Sequence, residues 1–143
     1  MDLPIRSHYE RIGGAAAVRA LVERFYALMD TLPEAAPIRA LHAPDLSLSI
    51  DKLYEFLSGW LGGPQLYVEK YGHPKLRARH LRVHIGPAER DQWMLCMRQA
   101  LEDTVADPQL RRELADALGR VAEHMRNDAP FPGGLQITGG NAR

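Results

Sequence analysis

The chain has one cysteine, Cys96, in 143 residues. That excludes an internal disulfide and any paired-cysteine motif for metal or redox chemistry. It has no net charge, because 18 Lys and Arg balance 18 Asp and Glu. Nothing therefore draws it in bulk to nucleic acid or to an anionic membrane. Long apolar runs are missing as well. Residues 1–10 hold no core of signal-peptide length, and no segment approaches a membrane span. No stretch alternates with period two, so no strand is predicted. Internal repeats and low-complexity stretches are absent too. What remains is one domain's length of chain with ordinary apolar content, enough for its own core. The expectation is a soluble protein of a reducing compartment, most simply the cytoplasm.

What is present is helical periodicity. Val18, Leu21, Val22, Phe25, Leu28 and Met29 share one broad face of a helix over about 15–30. Tyr26 sits on its flank, and pattern alone reads it as a boundary tyrosine with its hydroxyl in water. Pro33 and Pro37 bracket a helical turn or two, ending near His42. His42 precedes an Ala-Pro step and reads, taken alone, as a loop residue. A second helix runs over about 47–61, with Ser49, Leu53, Phe56, Leu57 and Trp60 on one face. Gly62-Gly63-Pro64 stops it. Gly86-Pro87-Ala88-Glu89 opens a third helix over 87–105, which carries Trp93, Met97, Ala100 and Leu101. Asp107-Pro108 caps a fourth over 108–126, with Leu110, Leu114, Ala117, Leu118, Val121 and Met125 as its stripe. Short helices are predicted at Tyr9 to Ile12 and from Pro74 to about His80. The fold class is all-α, with one domain over 1–130 and a disordered tail over 131–143.

Chemistry concentrates in one stretch, 73–93, which holds three of the six histidines and one of the two tryptophans. His80 and His84 are four apart, the spacing of a zinc pair on a helix. No cysteine or carboxylate lies between residues 70 and 88 to add a third ligand, and Gly86-Pro87 interrupts the helix. A haem needs only one axial base from the protein, often a neutral imidazole. Its propionates call for Arg or Lys, which Lys75, Arg77 and Arg79 supply. Its flat apolar faces call for walls, which the Leu53/Phe56/Trp60 and Trp93 faces supply. The plain alternative is a solvated basic loop beside an ordinary core tryptophan.

A set of motifs in fixed order bears on that choice. They are Tyr9-Glu10-Arg11-Ile12-Gly13-Gly14; Arg24-Phe25-Tyr26; Trp60-Leu61-Gly62-Gly63-Pro64; His73-Pro74-Lys75-Leu76-Arg77-Ala78-Arg79-His80; and Ile85-Gly86-Pro87 through Trp93. Over about residues 8–127 the chain resembles the group II truncated haemoglobins. The most specific element is the HPxLRxRH run with tryptophan thirteen residues after its last histidine.

The resemblance implies a truncated globin, a two-over-two helical sandwich around haem b. It makes His80 the proximal iron ligand. Trp93 and Tyr26 become distal donors to a bound gas. His42 falls at the third distal polar position, where tyrosine or phenylalanine is usual. Ser49 falls at the distal position of the following helix, with Leu53 one turn on and Phe56 and Leu57 beside it. Tyr67 and Arg79 resemble the propionate contacts. His73 and His84 take surface or haem-edge places. The implied ligands are dioxygen, carbon monoxide, nitric oxide or peroxide. The implied role is reversible dioxygen binding, or else nitric oxide dioxygenation or peroxide reduction with an external reductase. Nucleic acid and membrane are not expected partners, and the protein is expected to be a monomer or homodimer.

Overall fold

The structure, a computed structural model, describes residues 6–75 and 85–126. Seven α-helices lie in these residues: α1 (His8–Ile12), α2 (Ala15–Thr31), α3 (Ala36–Arg39), α4 (Ser47–Trp60), α5 (Leu66–Tyr71), α6 (Pro87–Thr104) and α7 (Pro108–His124). A 3-10 turn, Pro33–Ala35, leads into α3. Among the described residues there is no strand, as the absent alternation predicts. The proposed tail, 131–143, lies outside them.

The four long helices start where their caps predict. Asp107 accepts from the Gln109 N–H at 3.0 Å, and Pro108 opens α7. Glu89 reaches back to accept the Gly86 N–H at 2.7 Å, with Pro87 at the first position of α6. At the end of α4, Gly62 takes φ 100°, a conformation that favours glycine. The fully buried Ser58 hydroxyl then donates to the Pro64 carbonyl at 2.7 Å and fixes the turn.

Two local features are added and one expectation is corrected. Ser7 is the N-cap of α1, because its hydroxyl and the Glu10 carboxylate exchange bonds with each other's backbone. Helix α5 lies in a segment without sustained period. Its single pair of turns is held by Tyr67 and Tyr71, whose rings are 4.8 Å apart. Pro74 does not open a helix. Lys75, the next residue, has φ 46°, outside the right-handed helical region. The rest of that predicted helix lies outside the described residues.

Helices α2 and α4 pack together, as do α6 and α7, and α2 against α6 joins the two pairs. The core is where they meet. Val18, Leu21, Val22, Phe25 and Met29 of α2 face Cys96, Met97, Ala100 and Leu101 of α6. Leu110, Leu114 and Leu118 of α7 close it, so the α7 stripe is buried with Ala117 and Val121 at its half-buried margin. Cys96 is fully enclosed. Burial, with Glu34 adding a little, pushes its thiol above its ordinary range, which keeps it unreactive.

Helix α1 buries no residue fully, yet it touches both pairs. The Tyr9 N–H donates to the Leu61 carbonyl at 2.9 Å. The Tyr9 ring lies so close over Gly63 that a Cβ there would overlap it. On the other side, Arg11 grips Glu113 of α7 at 2.6 and 3.3 Å, with His8 at 3.3 Å and Gln109 at 3.1 Å. Arg11 chiefly holds the Glu113 carboxyl low, at about 2 against an ordinary 4.5. A carboxylate depressed in the folded state stabilises it fully above its unfolded value. That contribution is lost as pH falls from 4.5 toward about 2. Thermal melts across that window should show Glu113→Gln with a shallower acid decline than the parent. Parallel curves would place the acid-sensitive contact elsewhere.

Candidate functional site

Phe25, buried in the middle of α2, organises the predicted distal residues. Its ring stands edge-on to Tyr26 at 4.9 Å and to Trp93 of α6 at 5.1 Å. Tyr26 in turn stands edge-on to His42 at 5.8 Å. Residues from α2, α6 and the turn after α3 are thereby brought into one cluster. The boundary reading of Tyr26 is corrected, since only 7% of the residue is exposed. Burial pushes its phenol well above the ordinary range, so the hydroxyl keeps its hydrogen at any physiological pH.

The polar tips of this cluster share a property. Among the described residues, no group pairs with the Tyr26 hydroxyl, the Trp93 indole N–H or His42 Nε2. Polar groups set in apolar surroundings ordinarily find partners, and each without one calls for an explanation. His42 Nδ1, by contrast, bonds the Ile38 carbonyl at 2.8 Å.

Helix α4 supplies a wall that its own fold does not finish. Ser49, Ile50, Leu53, Tyr54, Phe56 and Trp60 are all half-buried, and only Leu57 and Ser58 are fully enclosed. Leu53, Phe56 and Trp60 pack against the core with one side and leave the other open. Trp93 is half-buried in the same way. A broad apolar surface left half-covered beside unpartnered donors fits a large flat apolar group that bears a polar ligand. Among the described residues nothing pairs with the Ser49 hydroxyl, in the first turn of α4.

At the other end of the wall the Phe56 and Tyr67 rings meet edge-on at 6.3 Å, joining α4 to α5. Tyr67 is buried. With Glu55, Trp60, His73 and Pro74 they border a cavity of about 250 Å³. The exposed His73 lies at its rim. Glu55, one of the bordering residues, pairs with Lys70 at 2.9 Å. Arg79 and His80, the predicted propionate contact and iron ligand, lie outside the described residues, as do Arg77 and His84. Among the described residues no three His, Cys, Asp or Glu side chains converge on a metal position.

Sequence reasoning missed Gln92. It lies on the flank of α6 beside Trp93, and its Oε1 accepts the Ile38 N–H at 3.2 Å. A glutamine one residue from an apolar position carries no periodic signal, so only the fold reveals the contact.

The family description for bacterial-like globins matches residues 7–127. The chain belongs to the bacterial-like globin family. This globin is 38% identical to a group 2 truncated hemoglobin of Bacillus subtilis over 127 residues, 89% of this chain and 93% of that one. Among solved structures it is similar to the group II 2-on-2 hemoglobin of Agrobacterium tumefaciens. The identity is 54% and the TM-score 0.84, covering 89% of this chain and 98% of that one. It is also similar to the cold-adapted truncated hemoglobin of Pseudoalteromonas haloplanktis TAC125. Here the identity is 44% and the TM-score 0.85, over 87% and 100% of the two chains. The resemblance read from the motifs holds, and so does the two-over-two fold. As a truncated haemoglobin this globin is a haem protein for gaseous ligands such as oxygen. Among its described residues no helix is long and apolar enough to cross a membrane.

Proposed function

We propose that this globin binds dioxygen and other diatomic ligands reversibly, at one haem b whose iron is held by His80. The observation that carries the reading is the cluster of Tyr26, His42 and Trp93 around Phe25, with its unpartnered polar tips beside the half-open α4 wall. The haem supplies the metal that a gas coordinates. The rest is done by side chains. The His80 imidazole would hold the iron. Arg79 and Tyr67 hold the propionates, the guanidinium through charge-assisted bonds.

On the distal side Trp93 can only donate a hydrogen bond, and Tyr26, kept neutral by burial, donates as well. Leu53 and Phe56, backed by Leu57, exclude water, and donors act more strongly in such a dry site than in solvent. Ser49 contributes a small side chain on the distal side. Any turnover of nitric oxide or peroxide would draw on an external reductase.

The test is optical. Protein purified with haem should show a Soret band, and the ferrous form should change spectrum on adding dioxygen and revert on its removal. A colourless protein that takes up no haem from solution would sink the reading.

A further inference from the structure

His42 follows α3 on a turn, and its ring is fixed by one bond. Nδ1 lies 2.8 Å from the Ile38 carbonyl oxygen. A carbonyl oxygen only accepts, so Nδ1 carries the hydrogen. A neutral imidazole has a single N–H, which leaves Nε2 with a bare lone pair. Both backbone groups of Ile38 are bonded. Its N–H donates to Gln92 Oε1 of α6 at 3.2 Å, and its carbonyl also accepts from the Leu41 N–H at 3.1 Å. The nearby charges are already paired. Arg39 of α3 bonds Asp30 of α2 at 2.7 Å and the Ala43 and Pro44 carbonyls at 3.0 and 2.8 Å. Neither charge is needed to set the ring. Among the described residues nothing pairs with Nε2, at the edge of the Tyr26 cluster.

We propose that neutral His42 serves the haem pocket as a hydrogen-bond acceptor, its tautomer set by the Ile38 carbonyl. The proposal rests on the haem-pocket reading. A ligand that is purely an acceptor, such as dioxygen, gains from Trp93 and Tyr26 and gains nothing from His42. A ligand that brings its own hydrogen, such as water or hydrogen peroxide, finds a partner there. His42 therefore biases the pocket toward hydrogen-bearing ligands, the opposite of a third donor.

The experiment uses the full chain with haem, in the ferrous carbon monoxide form, at about pH 8, above the range where histidine ordinarily changes charge. The Soret band is recorded first, so that failure to hold haem is seen separately. Nitrogen-15 NMR of labelled histidine, with His42→Phe used to assign the signal, then reads the tautomer. The expected result is hydrogen on Nδ1 and a bare Nε2 at position 42. Hydrogen on Nε2 overturns the proposal. In kinetics, His42→Phe should leave dioxygen release within about twofold of the parent, since no donor is lost. A larger acceleration means that His42 donates, and overturns the proposal. If His42→Phe does not fold, the parent spectrum decides, with its signals assigned by substituting the other histidines.

Discussion

His80→Ala should cost this globin its normal haem spectrum. A porphyrin brings four nitrogens to its iron, so the protein's hold on the metal rests on one axial bond. The walls can still shelter the apolar ring when that bond is lost, so some pigment should remain, but the iron should lose its nitrogen base. Dialysis should strip the variant of haem much faster than the parent. Its Soret band should shift and weaken, and added imidazole should restore the parent-like spectrum by entering the space the side chain left. His73→Ala is the control, because His73 is exposed at the cavity rim and its loss should leave the band in place. A His80→Ala protein with an unchanged band would move the axial role to another residue.

Trp93→Phe should speed dioxygen release by roughly ten- to a hundredfold. A hydrogen bond to a strongly polarised ligand contributes about 1.5–3 kcal/mol, and each 1.4 kcal/mol is a factor of about ten in rate. The indole has one polar atom and it can only donate, so phenylalanine removes the interaction without offering a new one. The substitution keeps an aromatic ring near Phe25, whose present contact is 5.1 Å, so the packing of α2 on α6 should largely survive. Stopped-flow mixing of the oxygenated protein with an oxygen scavenger measures the rate. An unchanged rate, with the circular dichroism melt also unchanged, would turn Trp93 into an ordinary core residue.

How far the chain could be read depended on how each feature signals itself. The long helices announce themselves twice, by periodic apolar faces and by end chemistry such as Asp107-Pro108 and Gly86-Pro87. Their ends accordingly fall within two residues of expectation. Helix α5, six residues long, is too short for a period to develop. Pro74 misled because proline suits a first helical turn as well as a loop, and the left-handed Lys75 decides for the loop. Tyr26 misled because a flank position on α2 becomes interior once α6 and the turn after α3 pack against it. The walls of the site were legible as ordinary amphipathic faces. Their proposed purpose was not, because an apolar face meant for a cofactor looks in sequence like one meant for the core. Only the motif order, with its His80 and Trp93, separated the two. Gln92 was illegible, because its contact with Ile38 exists only between elements 54 residues apart.

Trp60 and Trp93 are the only tryptophans in the chain, and they stand on the two helices that wall the site. A bound haem would lie close to both and take up their excited-state energy. Intrinsic fluorescence is then dark when the pocket is full and bright when it is empty. The protein thus carries its own gauge of occupancy, readable at low concentration and without a label.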